Sequence, residues 1–322
     1  MTFLNASLAL LLRFIAPIKH GVAEPSRGPS GLRARWPAVL VAFPSVSLLG
    51  CFLSAAEPTV DITTLMRAAD AAVKQKKYAE AIQLAGKAAA ADPKDARPLL
   101  LRAHAYNELH DSAKAVADYS AALKLNPRTS LAYQRRGEAQ FRLGHFKESI
   151  ADFDKFIELM PEQAPQHWQR GIALYYDGRY EDARKQFESH RTVNPYDVEN
   201  AAWHFLCVAR ALGVEKARAA LIPVERDARV PMMQIHALFA GKAKPEDVLA
   251  AAKAGNPSPA QLDNQLFYAH LYLGLYQEAL GNLKEAREYI FKAAADPKAE
   301  HYMGDVARVH AQLLRQREKQ GK

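Results

Sequence analysis

The sequence predicts an all-α solenoid built from antiparallel helix pairs, and three observations carry that expectation. Prolines recur at Pro93, Pro127, Pro161 and Pro195, three successive intervals of 34 residues. Other positions keep register with them: a small residue (Ala69, Ala103, Gly137, Gly171), an alanine-type residue (Ala81, Ala115, Ser149, Ala183) and, four residues on, a usually aromatic one (Ala85, Tyr119, Phe153, Phe187). The composition, 49% hydrophobic and 24% charged over 322 residues, belongs to a chain able to bury a core. A unit repeated at this spacing buries its apolar face against the next copy rather than alone.

In chain order, residues 1–56 read as a leader. An apolar stretch from Phe3 to Ile18 is interrupted by Arg13. A second runs from Ala38 to Leu53, preceded by Arg33 and Arg35 and followed by Ser54-Ala55-Ala56. Basic flank, apolar run and small-residue site are the parts of a secretory signal. At about 16 residues, with Pro44 inside it, the run falls short of the roughly 20 that a membrane-spanning helix needs. Leu48-Leu49-Gly50-Cys51 resembles a bacterial lipobox. The competing reading is an uncleaved membrane anchor. Two outcomes lead: removal before Glu57, or acylation of Cys51 as the tie to a membrane. Either expects export to the periplasm or cell envelope. The leader also carries half of the charge excess. The formal net charge is +8, but residues 1–56 hold five basic groups and one acidic, leaving 38 basic and 34 acidic groups beyond them. That balance argues against a nucleic-acid partner.

Residues 57–197 read as four repeats. A small residue sits where two helices cross, a large one fills the groove of the neighbour, and the proline ends each unit because it cannot continue a helix. Tyr78, Ser112, Phe146 and Tyr180 open the second helices. These residues resemble the tetratricopeptide (TPR) pattern over about 62–197, which implies a helix–turn–helix in each unit. Residues 198–262 read as degenerate repeats, with helices at Ala201–Leu212, Glu215–Leu221 and Pro245–Ala254, and with Pro223 and Pro231 as breaks. Residues 263–322 return to the pattern through Phe267, Leu273, Gly274, Leu283, Ala286, Ile290 and Ala293, and end in a capping helix at Tyr302–Lys319.

No nucleophile elbow, phosphate loop, Cys-x-x-Cys or His-Glu-x-x-His occurs. His204 and Cys207 share a helix face but have no partner groups for nucleophilic catalysis. His301 and His310, with Asp305 between them, could hold a metal ion, but read as solvated surface histidines. The expectation is a non-enzyme without metal or cofactor. Binding is expected on the concave face, lined by the first helix of each repeat. Positions 5, 9 and 12 there are Leu100, His104 and Asn107, then Gln134, Glu138 and Phe141, then Trp168, Ile172 and Tyr175, flanked by Arg135, Arg142, Gln169 and Tyr176. Aromatic area beside arginine and amide groups suits a protein helix or an extended peptide. The competing expectation is that Trp168 and Tyr175 merely pack under the next repeat or a C-terminal helix. The carboxylate clamp of TPR co-chaperones is absent: of its positions, only Arg135 fits.

The stretch Arg170-Gly171-Ile172-Ala173-Leu174-Tyr175-Tyr176-Asp177-Gly178-Arg179, with Ala202-Trp203-His204-Phe205-Leu206 and the late Leu271-Tyr272-Leu273-Gly274 segment, is similar to the bacterial NlpI-like lipoproteins. That resemblance implies an envelope adaptor for peptidoglycan hydrolases and a periplasmic protease, dimeric and anchored in the outer membrane. The alternatives are a cytosolic assembly chaperone, should the leader not act as one, and an accessory subunit of an envelope enzyme.

Overall fold

A computed structural model describes residues 61–320. Among them are fifteen α-helices and one short 3-10 segment, with no strand. The four repeats are the pairs α1 (Ile62–Lys74) and α2 (Tyr78–Ala91), α3 (Ala96–Glu108) and α4 (Ser112–Leu125), α5 (Ser130–Arg142) and α6 (Phe146–Leu159), and α7 (Trp168–Tyr176) and α8 (Tyr180–Arg191). The expected all-α repeat solenoid is the observed fold.

The crossing within each repeat follows from the small and large positions. A Cβ added at Gly137 would lie 2.6 Å from the Phe153 ring, and one at Gly171 would lie 2.7 Å from the Phe187 ring. Both rings are buried, and the same offset of 16 residues pairs Ala69 with Ala85 and Ala103 with Tyr119. An arginine clasp repeats beside it: Arg102 to Asp118 at 2.6 Å, and Arg136 to Asp152 at 2.6 Å. In the fourth repeat Arg170 donates to Gln186 instead, at 3.2 Å. Each repeat also turns between its helices through a left-handed residue, at Lys76, His110, Gly144 and Gly178.

The fourth repeat has a shortened first helix. Pro161–Gln166 forms a 3-10 turn containing Pro165, so α7 starts only at Trp168. Proline withholds the amide that an earlier helical start would use. The turn is tied down where Gln186 donates to the Ala164 carbonyl at 2.8 Å.

Beyond Pro195 come α9 (Val198–Leu212), α10 (Val214–Ala219), α11 (Met232–Phe239), α12 (Pro245–Lys253), α13 (Pro259–Ala279), α14 (Leu283–Ala294) and α15 (Tyr302–Lys319). Two of these differ from the sequence expectation. Pro231, read as a break, caps α11, where a missing amide costs nothing because the first amides of a helix have no partner inside it. Helix α13 begins at Pro259, several residues earlier than expected, opened by a Ser258/Gln261 capping box.

Helices α9 and α13 form the centre. Ten residues of each are buried, from Val198 to Val208 and from Phe267 to Glu278. A helix apolar on most sides belongs inside. One buried cluster runs from Phe141 through these two helices to Leu314 in α15.

Candidate functional site

The thirteen residues expected on the concave face lie on α3, α5 and α7, and α15 packs against α5 across them. Leu100, Asn107, Gln134, Phe141, Ile172 and Tyr175 are buried. His104, Arg135, Glu138, Arg142, Trp168, Gln169 and Tyr176 are half-buried, and none of the thirteen is exposed. The face is therefore assembled but covered. Leu100 and Ile172 are core side chains rather than lining, whereas Phe141 is buried under Tyr302 of α15.

One part of the face is a polar strip centred on Glu138. Gln134 donates to its carboxylate at 3.0 Å, Arg135 at 2.9 Å and Gln169 at 3.3 Å. Burial alone would raise the Glu138 carboxyl, but Arg135, Gln134 and Arg142 outweigh it and hold it below the usual range. The strip is anchored by His167, which precedes α7. Its Nδ1 accepts from the Arg170 amide at 3.2 Å, so Nε2 carries the proton and donates to Gln134 Oε1 at 2.6 Å. Burial pushes this imidazole down to about 4, which fixes the neutral form. His104 is also lowered by burial.

The other part is aromatic and holds α15. Tyr302 stacks on Phe141, with centroids 5.2 Å apart, and meets Trp168 edge-on at the same distance. Tyr176 packs against Phe141, Phe146 and Tyr175, and its hydroxyl lies 2.9 Å from His310 Nδ1. Arg142 donates to Asn107 at 2.7 Å and reaches Asp305 at 3.4 Å. His110 lies 3.8 Å from the same carboxylate. Tyr175 instead packs on Trp203 of α9. The packing expected under the next repeat thus applies to Tyr175, and that under a C-terminal helix to Trp168.

Farther along α15, His310 Nε2 lies 3.1 Å from Glu278, close enough to pair but off the line a hydrogen bond needs. Arg317 donates to the same carboxylate at 2.7 Å. Burial would raise Glu278, yet His310 and then Arg317 bring it down to about 2.

The remaining candidates are dispersed. Burial raises the Cys207 thiol, and His204 faces Glu188 at 3.3 Å rather than the thiol. His301 caps α15 by accepting from the Gly304 amide at 3.3 Å and stacks on Tyr268, apart from His310, which is buried between α13 and α7 rather than on the surface. Among the described residues no group of three or more His, Cys, Asp or Glu side chains is arranged to hold a metal ion. No described helix is long and apolar enough to cross a membrane. Cys51 and the leader lie outside the described residues.

Sequence reasoning missed two features. In one, Arg229 joins Glu199 at 2.5 Å, Asp197 at 2.7 Å and Asp227 at 2.6 Å, tying the loop before α11 to the start of α9. Tyr272 donates to Glu199 at 2.8 Å. The other is a cavity of about 530 Å³ lined by α8, α9 and α10, with Arg184, Glu188, His204, Val208 and Leu212 in its wall. None of the thirteen residues lines it.

A family model described as tetratricopeptide repeat matches residues 100–166. No curated protein matches the chain. Among solved structures, the chain is similar to the first TPR of Spaghetti (RPAP3) bound to an HSP90 peptide, at 35% identity over 32% of this chain and 82% of that one, with a TM-score of 0.31. It is also similar to a tetratricopeptide repeat protein from Parabacteroides merdae, at 20% identity over 81% and 86%, with a TM-score of 0.47. A third is YrrB, described as a TPR protein with an unusual peptide-binding site, at 19% identity over 71% and 97%, with a TM-score of 0.37.

Proposed function

We propose that this chain, a tetratricopeptide-repeat protein, is a non-enzymatic scaffold that binds proteins along the first helices of repeats two to four. The observation that carries the reading is the amide, guanidinium and carboxylate strip of Gln134, Arg135, Glu138 and Gln169, with the half-buried Trp168 next to Gln169 at the start of α7. Aromatic area supplies contact energy, while the strip offers donors and an acceptor at fixed spacing to a polypeptide.

The scaffold acts in the bacterial cell envelope. The basic, apolar and small-residue parts of residues 1–56 support export, and Cys51 supplies a lipid anchor if it is acylated. The resemblance to NlpI-like lipoproteins supports peptidoglycan hydrolases or a periplasmic protease as partners, and a homodimer as the working form.

Two measurements test this. Fractionation with mass determination of the mature N-terminus should find an envelope protein starting at Cys51 or Glu57; an unprocessed cytosolic chain defeats the envelope assignment. Proteins captured from envelope extract by the wild type should be lost with Trp168→Ala/Gln169→Ala. Unchanged capture removes the concave face as the site.

A further inference from the structure

The occupant of the concave face is itself a helix with a legible register. Tyr302 stacks on Phe141 and meets Trp168 edge-on. Three residues on, Asp305 meets Arg142 at 3.4 Å and His110 at 3.8 Å. Five residues further, His310 meets the Tyr176 hydroxyl at 2.9 Å. These residues fall on one side of α15 because positions three and eight residues along an α-helix return to the same face. The seat matches them in order: an aromatic slot on α5 and α7, the Arg142 guanidinium with the His110 imidazole beside it, and a phenol at the end of α7.

The seat holds α15 incompletely. The Tyr302 hydroxyl and the Arg142 Nε are buried without a hydrogen-bond partner, and the Arg142–Asp305 pair is long for a guanidinium–carboxylate contact. A buried polar atom left unpaired weakens the complex that buries it. An incoming helix that satisfied these atoms would hold the seat better than α15 does.

Resting on the scaffold reading, we infer that the concave face of repeats two to four is a seat for an amphipathic partner helix carrying an aromatic residue, an acid three residues on and a hydrogen-bonding side chain five beyond it, and that such a helix enters by displacing α15. The resident helix is a low-affinity stand-in for the partner. Specificity then lies in the aromatic–acid spacing, and extended peptides, which cannot present three side chains at helical intervals, are poor competitors.

The probe is a fluorescein-labelled synthetic peptide spanning residues 298–320, titrated into full-length protein and read by fluorescence anisotropy. In the chain itself Tyr302→Ala weakens the resident helix while leaving the seat intact. Asp305→Asn does so with less disturbance of packing, and carries the test should Tyr302→Ala fail to melt cooperatively. The weakened proteins are expected to bind the peptide at least about tenfold more tightly than the wild type, and a peptide carrying both substitutions is expected not to bind. Equal binding to wild-type and weakened proteins, or no binding to a folded weakened protein, overturns the inference. Envelope partners still captured by the wild type and lost with Trp168→Ala/Gln169→Ala would then leave the scaffold reading standing without it.

Discussion

Positions 76, 110, 144 and 178 repeat at the same interval as the prolines and share one backbone state, with φ of 59°, 56°, 76° and 80°. Glycine fills the last two, whereas Lys76 and His110 hold it against the cost a Cβ incurs there. Lys76→Gly is therefore expected to stabilise the first repeat by up to about 1 kcal/mol, part of the gain being offset by glycine's greater freedom when unfolded. A denaturant melt against the wild type reads this, and a lower midpoint contradicts the strain argument. Gly171 is the opposite case, small by necessity. Gly171→Ala drives a methyl into the Phe187 ring and is expected to cost about 2–3 kcal/mol. A double variant with Phe187→Leu should recover part of that loss in the same assay. Both residues were legible in the sequence, because the small and large positions keep their register through all four repeats.

Helices were legible wherever periodicity and punctuation agreed, as in α1 to α8 and α15. They were less so where punctuation was read with the wrong sign. Pro231 stops a helix if taken as an interior residue and starts one if taken as a cap, and the residues after it form α11. The start of α13 had a readable signal in Ser258-x-x-Gln261: the serine side chain accepts from the Gln261 amide at 3.4 Å, and Gln261 accepts from the Ser258 amide at 2.9 Å. Ser258→Ala is expected to cost about 1 kcal/mol and to fray the first turn of α13. Hydrogen exchange would place the loss at residues 259–263, and protection unchanged there argues against the cap. The arginine clasps of Arg102 and Arg136 lay just before the small position in each repeat and pass unnoticed in a reading that follows only apolar periods.

At the scale of the whole molecule, the face was legible and its covering was not. Local periodicity identifies which side chains share a face but carries no record of contacts between residues 134 and 163 positions apart, such as Tyr176–His310 and Arg142–Asp305. The charge that secures α15 is Glu278. Its carboxyl is depressed to about 2, below its usual range near 4.5, so its contribution is full above about pH 4.5 and is lost as pH falls towards 2. Glu278→Gln is expected to cost roughly 2–3 kcal/mol at pH 7 and progressively less on acidification. Melts at pH 7, 4 and 2.5 check the sign, and a gap that widens in acid refutes it. The return of α15 onto the early repeats also alters how the array comes apart. A linear solenoid touches only its neighbours, so it frays from either end and loses its units one at a time. Here the C-terminal end is fastened to repeats two to four, so releasing the last helix also uncovers the first helices of those repeats. The second to the last units are thereby joined into one cooperative block, which forms more slowly because a long loop must close before that contact is gained.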